Sequence, residues 1–166
     1  MPLEPQAQAI ISMLDGLGIP YRTYSHPAVR TMEDCAGIGA DVGASHFKNL
    51  FLSDRKRSAF VLLLLPLEKT YRASDISHQR GTSRLSFCTA EELMEKLGLV
   101  PGCVTPLALA RESAKGVILA VDEDILNMDM VCVHPCVPTA TIALKRADLF
   151  RFLEGCGNEV RYVRAE

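Results

Sequence analysis

Lys48 lies in the run Phe47-Lys48-Asn49-Leu50-Phe51-Leu52-Ser53, whose alternation puts its ammonium on the same strand face as Leu50 and Leu52. A lysine on an apolar face either snorkels, with its stem packed and its head in water, or turns its charge on a bound phosphate or carboxylate. Both readings stand at this level. Pro101-Gly102-Cys103-Val104-Thr105-Pro106 joins a Pro-Gly turn to a second proline. Such a loop exposes backbone N–H and C=O groups and lets a ligand approach closely at Gly102, although an ordinary tight helix-to-strand connection has the same form. His134, followed by Pro135, closes a β-prone run. Its imidazole could act as general acid or base, orient a substrate by hydrogen bonding, or simply belong to the core. His26 and His46 fall in segments that read as loops, where a solvated histidine needs no special role, and His78 has no stronger case.

Cys132-Val133-His134-Pro135-Cys136 would bring Cys132 and His134 to one side of a strand, with Cys103 as a third thiolate. The spacing matches no standard zinc pattern and no second ligand pair accompanies it, so neither a metal nor any other cofactor is expected. No cysteine carries a nucleophile signature, and core packing is the better account of these thiols. G-x-G-x-x-G, Walker, H-E-x-x-H and G-x-S-x-G patterns are all absent.

The elements that must hold these residues are readable from periodicity. Leu3, Ala7, Ile10, Leu14 and Leu17 share one helical face, stopped by Gly16, Gly18 and Pro20. Tyr21 to Ser25 reads as a strand, and Thr31 with Asp34 opens a short helix to Ile38. Phe47 to Ser53 and Ala59 to Leu65 read as two strands around the turn Asp54-Arg55-Lys56-Arg57. The second is apolar at every position, which requires cover on both faces. Ser74 to Gln79 reads as a helical turn. Thr89 and Glu92 form a capping box before the stripe Leu93, Met94, Leu97, which Gly98 ends. Val117 to Val121, Met130 to His134 and Thr139 to Leu144 read as strands, with an Asp122-initiated turn after the first. Ala147 to Leu153 is helical with Gly155 as its stop, and Val160 to Val163 adds an edge strand. With 166 residues, 48% hydrophobic and 23% charged, the chain can bury a core as one domain, 1–166, of α+β class. Its net charge of −2 excludes a whole-surface grip on nucleic acid. The longest apolar run, ending at Pro66, falls short of the ~18 residues of a membrane span. No basic leader region precedes Leu3, so a cytoplasmic location with reduced thiols is expected.

Taken in order, several stretches resemble the YbaK/ProX family, free-standing relatives of the editing domain of bacterial prolyl-tRNA synthetase. They are His26-Pro27, Lys48 to Leu52, Ser83 to Phe87, Gly98 to Pro106, Val121-Asp122, Val133-His134-Pro135 and Thr139-Ala140-Thr141. Phe47-Lys48-Asn49 together with the Pro-Gly-x-Val-Thr-Pro loop is most similar to the ProX branch, whose members remove mischarged alanine from proline tRNA. The resemblance implies a mixed, partly barrel-like β-sheet with peripheral helices. It also implies hydrolysis of the ester between an amino acid and the terminal adenosine of tRNA. Lys48 would lie near the terminal nucleotide, while Gly102 and His134 would hold the aminoacyl group. Asn49, Thr105, Pro106 and Thr139 would complete the substrate-binding set. Pro138 stands where the family commonly has asparagine, replacing an amide donor and acceptor by a ring without N–H and so bearing on selectivity.

The expected partner is a mischarged tRNA gripped at its acceptor end, accompanied by prolyl-tRNA synthetase or an elongation factor, with no DNA and no membrane. Lys48, the Arg55-Lys56-Arg57 turn, Arg80 and Arg84 are the basic residues available for a local grip. Two rivals stay open: a sister enzyme acting on cysteinyl-tRNA(Pro), and a module of the same fold that binds tRNA or synthetase without catalysis.

Overall fold

Phe60-Val61-Leu62-Leu63-Leu64-Leu65-Pro66 has no polar side chain to spare for solvent, and in the computed structural model it is the middle strand of the larger of two sheets. The structure describes residues 5–25, 44–71, 85–100, 104–134 and 140–164. In chain order the helices and strands are α1 (Pro5–Gly16), β1 (Tyr21–Ser25), β2 (Phe47–Ser53), β3 (Phe60–Pro66), β4 (Ser86–Phe87), α2 (Ala90–Leu97), β5 (Ile118–Asp122), β6 (Met130–Val133), β7 (Ala140–Lys145), α3 (Arg146–Cys156) and β8 (Val160–Val163). Short 3-10 turns occupy Pro106–Ala110, Glu112–Ala114 and Glu123–Asn127.

The larger sheet runs β4-β2-β3-β5-β8, and β3 pairs antiparallel with β2 and parallel with β5. Side chains alternate across β3, as the pleat demands. Leu62 and Leu64 enter the main core with Phe47, Phe51, Leu93, Leu97, Leu119, Val121 and Phe152. Val61, Leu63 and Leu65 enter a second cluster with Leu52, Leu85, Ala120 and Val163. The expectation of cover on both faces is met. Truncating one of these fully buried leucines to alanine costs about 2–5 kcal/mol in comparable cores.

The smaller sheet is β1-β7-β6, antiparallel throughout. The expectation of a partly barrel-like sheet is corrected: the two sheets do not close. Among the described residues the one bridge between them is parallel, Ser45 with Val131, made by Ser45 N–H donating to the Met130 carbonyl (2.9 Å) and Cys132 N–H donating to the Ser45 carbonyl (2.9 Å). One residue of ladder cannot carry the stagger and tilt that closure needs. The edges of the larger sheet, β4 with two residues and β8 with four, lie at opposite ends and do not meet.

Other boundaries moved for local reasons. Leu17 is 48% exposed because the chain turns at Gly18 (φ 69°), just past the end of α1, while Ile10 and Leu14 stay buried. In α2 the capping box forms as expected, with Glu92 N–H donating to Thr89 Oγ1 (3.1 Å) and Thr89 N–H donating to Glu92 Oε1 (2.9 Å). Met94, however, is 51% exposed; the buried stripe is Leu93 and Leu97, one turn apart, and Met94 is rotated away from it. Helix α3 runs through Gly155 and stops at Gly157 (φ 80°). The helix expected at Met32–Ile38 and the helical turn expected at Ser74–Gln79 lie outside the described residues.

Between β2 and β3 the Asp54 carboxylate organises the turn, accepting from Ser58 N–H (2.7 Å), Ser58 Oγ–H (2.5 Å) and Ala59 N–H (3.2 Å). The Ser58 hydroxyl first, then the Ala59 and Ser58 amides, outweigh desolvation and hold the Asp54 carboxyl below the usual carboxylate range. Because its folded-state pKa is depressed, its stabilising contribution is complete above the unfolded value. That contribution disappears as pH falls through the folded value. A carboxyl-carbon NMR titration should therefore find Asp54 still mostly ionised at pH 3.8, the ordinary aspartate midpoint. A midpoint at or above that pH would contradict this account of the turn.

Candidate active site

The Ser45 bridge that joins the sheets also assembles the candidate site. It sets His46, at the entrance to β2, beside His134, at the exit of β6, with ring centroids 6.5 Å apart and planes tilted by 44°. Both rings are buried, at 8% and 7% exposure. His134 Nδ1–H donates to the Ala140 carbonyl at 2.9 Å, so in the neutral ring Nε2 carries the lone pair. Reading His46 as a solvated loop histidine was wrong. Its signal was phase: it precedes Phe47 directly and continues the β2 alternation through Lys48. At ~3.3 Å per residue, Lys48 begins about 7 Å along the strand from the histidine pair.

Lys48 faces Leu65 across the hairpin and its ammonium donates to the Lys69 carbonyl (2.5 Å). It has no carboxylate partner among the described residues. Lys69, in the turn that leaves β3, is held in place by its own side chain. Its ammonium bridges Asp122 Oδ1 and Oδ2 (3.0 and 3.1 Å) and Asp124 Oδ2 (2.9 Å). Asp122 is fully buried, and its Oδ1 also accepts from Asp124 N–H (2.9 Å), capping the 3-10 turn expected there. Burial works against the Lys69 charge, but bonds to Asp124 and Asp122 and their charges outweigh it and raise its pKa. Lys69 was missed at the sequence level. Only the proline that ends β3 three residues earlier marks the turn it closes, through Lys69 N–H to the Pro66 carbonyl.

Asn49 points opposite to Lys48, on the face of Phe47 and Phe51. Its Nδ2 donates to the Phe47 carbonyl (3.3 Å), whereas its buried Oδ1 has no hydrogen-bond partner among the described residues. Asn49 lines a pocket of about 180 Å³ together with Phe51, Phe87, Cys88, Leu93 and Val104. Val104 brings the emerging end of the Gly102 loop to this pocket. Thr105 and Pro106 are buried behind it. The Thr105 hydroxyl accepts from Leu107 N–H (3.4 Å) and Pro106 takes the first turn of the 3-10 segment, so both fix how the chain leaves the loop. Gly102 and Thr139 lie outside the described residues, as do Cys103, Cys136, Pro138, His26, His78, Arg80 and Arg84. A larger cavity, about 360 Å³, between α1, the Pro106–Ala110 turn and α3 contains none of the candidate residues. Among the described residues no three His, Cys, Asp or Glu side chains gather as a metal site would require.

Among the described residues the arrangement therefore offers a cation without a carboxylate partner at Lys48, a buried amide oxygen in a small apolar pocket on the opposite face of β2, and an oriented imidazole at the exit of β6 beside the residue that enters β2. These are means of holding and polarising a substrate, with no nucleophile–base pair among them.

The aminoacyl-tRNA editing domain family matches residues 26–152. The chain belongs to that family, in the YbaK/ProX group of trans-editing aminoacyl-tRNA deacylases related to the prolyl-tRNA synthetase editing domain. It is thus an ester hydrolase. It is 28% identical to the prolyl-tRNA editing protein ProX of Acetoanaerobium sticklandii over 94% of this chain and 95% of that one. It is 32% identical to prolyl-tRNA synthetase associated domain-containing protein 1 of Danio rerio, over 85% of this chain and 77% of the relative. In fold it superposes with a TM-score of 0.75, at 22% identity, on a crystal structure described as a candidate trans-editing enzyme for prolyl tRNA synthetase, covering 99% and 100% of the two chains.

Two outcomes are expected. Lys69→Met leaves Lys48 in the chain but strips Asp122 of its cation, at a cost of about 3 kcal/mol. Lys69→Met with Asp122→Asn should recover most of that stability in urea melts. Full stability in the single variant would remove the pair from this role. Cys88, on the pocket wall, has its thiol pushed up to about 12 by burial and the Glu92 charge, against Arg57. Peptide-mapped iodoacetamide labelling at pH 7.5 should find it roughly a thousandfold slower than free cysteine. Rapid labelling would place it in a different environment.

Proposed function

We propose that this chain hydrolyses mischarged proline tRNA in the cytoplasm, releasing alanine, and that it meets its substrate alongside prolyl-tRNA synthetase or an elongation factor. The observation that carries the reading is Asn49: a buried, unpartnered acceptor oxygen in a 180 Å³ apolar pocket, one residue from an unpaired lysine. An α-ammonium group is the donor such an oxygen lacks, and a phosphate is the anion such a lysine lacks. An aminoacyl-adenosine end carries both; Lys48 and Asn49 face opposite sides of β2, whose edge away from β3 is paired with β4 only at Leu52 and Ser53 among the described residues, so the substrate would pass around that open edge.

The pocket wall supports a small side chain. It includes Phe51 and Leu93, close-packed at 5% and 6% exposure. Discrimination would rest on that wall meeting the ring of proline and not the methyl group of alanine, rejection of the larger group being the easier direction. Lys48 fixes the terminal phosphate, Asn49 and the Gly102 loop hold the aminoacyl group, and His134 orients the sugar or carbonyl through Nε2. The ester is already activated, so positioning and carbonyl polarisation supply most of what its hydrolysis needs. The ribose hydroxyl next to the ester is available to guide water, so the reaction does not depend on a separate protein base.

The test is a panel of proline tRNAs charged with alanine, cysteine, serine or proline, scoring loss of label. Alanyl-tRNA(Pro) should be cleared fastest and prolyl-tRNA(Pro) should survive. Faster clearance of the cysteinyl form would transfer the assignment to the sister activity, and clearance of none would leave a binding module. Lys48→Ala should fold normally and lose ten- to a hundredfold in kcat/KM, the worth of a charge-assisted phosphate contact of about 1.5–3 kcal/mol. Full activity in that variant would sink the lysine assignment.

A further inference from the structure

Arg57 has φ 57°, the left-handed region, and is the one non-glycine residue found there among those described. Glycine or asparagine takes such a turn position readily, whereas a residue with a long side chain pays for its Cβ. The side chain shows why an arginine is kept. Its Nε lies 3.3 Å from Glu92 Oε2, and Nη1 donates to Ser86 Oγ at 3.4 Å. Arg57 thus straps the hairpin tip to β4 and to the first turn of α2. That contact also engages Glu92, as the hairpin turn itself engages Asp54. Arg55 and Lys56 are left exposed, without a carboxylate partner among the described residues. Arg55, Arg57, Leu85 and Ser86 line a depression of about 320 Å³.

Between this depression and the Asn49 pocket stands β4. Ser86 belongs to the depression, and Phe87 lines the pocket while remaining 59% exposed. The Phe87 ring is braced edge-on by Tyr71, at 5.8 Å between centroids. Lys48 lies five positions, about 17 Å at strand rise, from the end of β2 at Ser53, and Arg55 follows in the turn beyond it. A pocket, an exposed braced aromatic and a pair of unpaired cations therefore follow one another across one edge of the sheet. A single-stranded nucleic acid recognises that sequence of features: bases stack on the ring and phosphates meet the cations. An acidic protein surface would use the charges but has no need of the ring.

We propose that Phe87, Arg55 and Lys56 form a track for the unpaired 3′ end of the tRNA. A base stacks on Phe87, the backbone several nucleotides from the ester is gripped by Arg55 and Lys56, and Arg57 is the strap that holds the hairpin in place. This rests on the reading of the substrate as aminoacyl-tRNA, and the experiment separates the two. Deacylation is measured on full-length alanyl-tRNA(Pro) and on alanyl-adenosine, and binding of uncharged tRNA is measured against salt. Arg55→Glu with Lys56→Glu should leave alanyl-adenosine hydrolysis within twofold of the parent. It should lower kcat/KM on full-length substrate at least tenfold and reduce the slope of log affinity against log salt by about 1.4, two phosphates at ~0.7 each. Phe87→Ala should weaken tRNA about tenfold with the salt slope unchanged. Equal losses on both substrates would mean a damaged pocket and would overturn the track. Unchanged tRNA affinity in the charge-reversed protein would overturn it too, leaving the hairpin to an acidic protein partner. If the parent protein hydrolyses neither substrate, the functional reading fails, while the binding measurements still decide the track.

Discussion

A strand buried on both faces accepts no polar side chain, and β3 is such a strand. Everything that can do chemistry in this sheet is therefore displaced to its neighbour β2 and to the ends of the strands beside it. The hairpin register matters because β2 has one face on each cluster: Lys48 opposite Leu65 and Asn49 opposite Leu64 inherit opposite sides of the same hydrophobic layer. Neither can turn round without a one-residue slip that would put every leucine of β3 on the wrong cluster. The core thus fixes the separation of the cation from the amide.

The exit of β3 is the weak point of such a design, since its turn must hold the Lys48 ammonium without a sheet beneath it. The solution is ionic. Lys69 lends Lys48 a carbonyl and is itself tied to Asp122 on the neighbouring parallel strand and to Asp124 just beyond it. A fully buried carboxylate is tolerable only when its partner is in place, so the fold cannot relax this turn cheaply. The same logic is repeated at the opposite end of the hairpin, where Asp54 satisfies three donors and Arg57 closes the contact to Glu92. Both ends of the β2–β3 pair are held by charge, and the middle by apolar burial.

Much of this was legible in the residues. The apolar run of β3, the Thr89–Glu92 box, the Asp122 turn and the bounds of β2 follow from local chemistry, and local chemistry is what one sequence carries. What failed was relational. His46 looked idle because nothing in its neighbourhood announces His134, eighty-eight residues later, and the Ser45 bridge and the shared core bring them together. Lys69 went unread because its partners are more than fifty residues away. Sheet closure was expected from resemblance, yet closure needs a ladder between the sheets, and among the described residues that ladder is one bridge long. Met94 was assigned to a buried stripe by hydrophobicity, where the angular position around α2 decided otherwise.

The one-residue bridge leaves the relation between the sheets to side chains. Among the described residues it supplies two backbone hydrogen bonds at Ser45, whereas Val131, Val133, Ile142 and Leu144 of the smaller sheet pack in one cluster with Phe47, Phe51, Leu62 and Leu64 of the larger. In a closed barrel the ladder would set the placement of β6 against β2; here the shared core sets it. His134, at the exit of β6, is therefore held beside the start of β2 by the same apolar layer that separates Lys48 from Asn49, and a shift of β6 along β2 would disturb that layer.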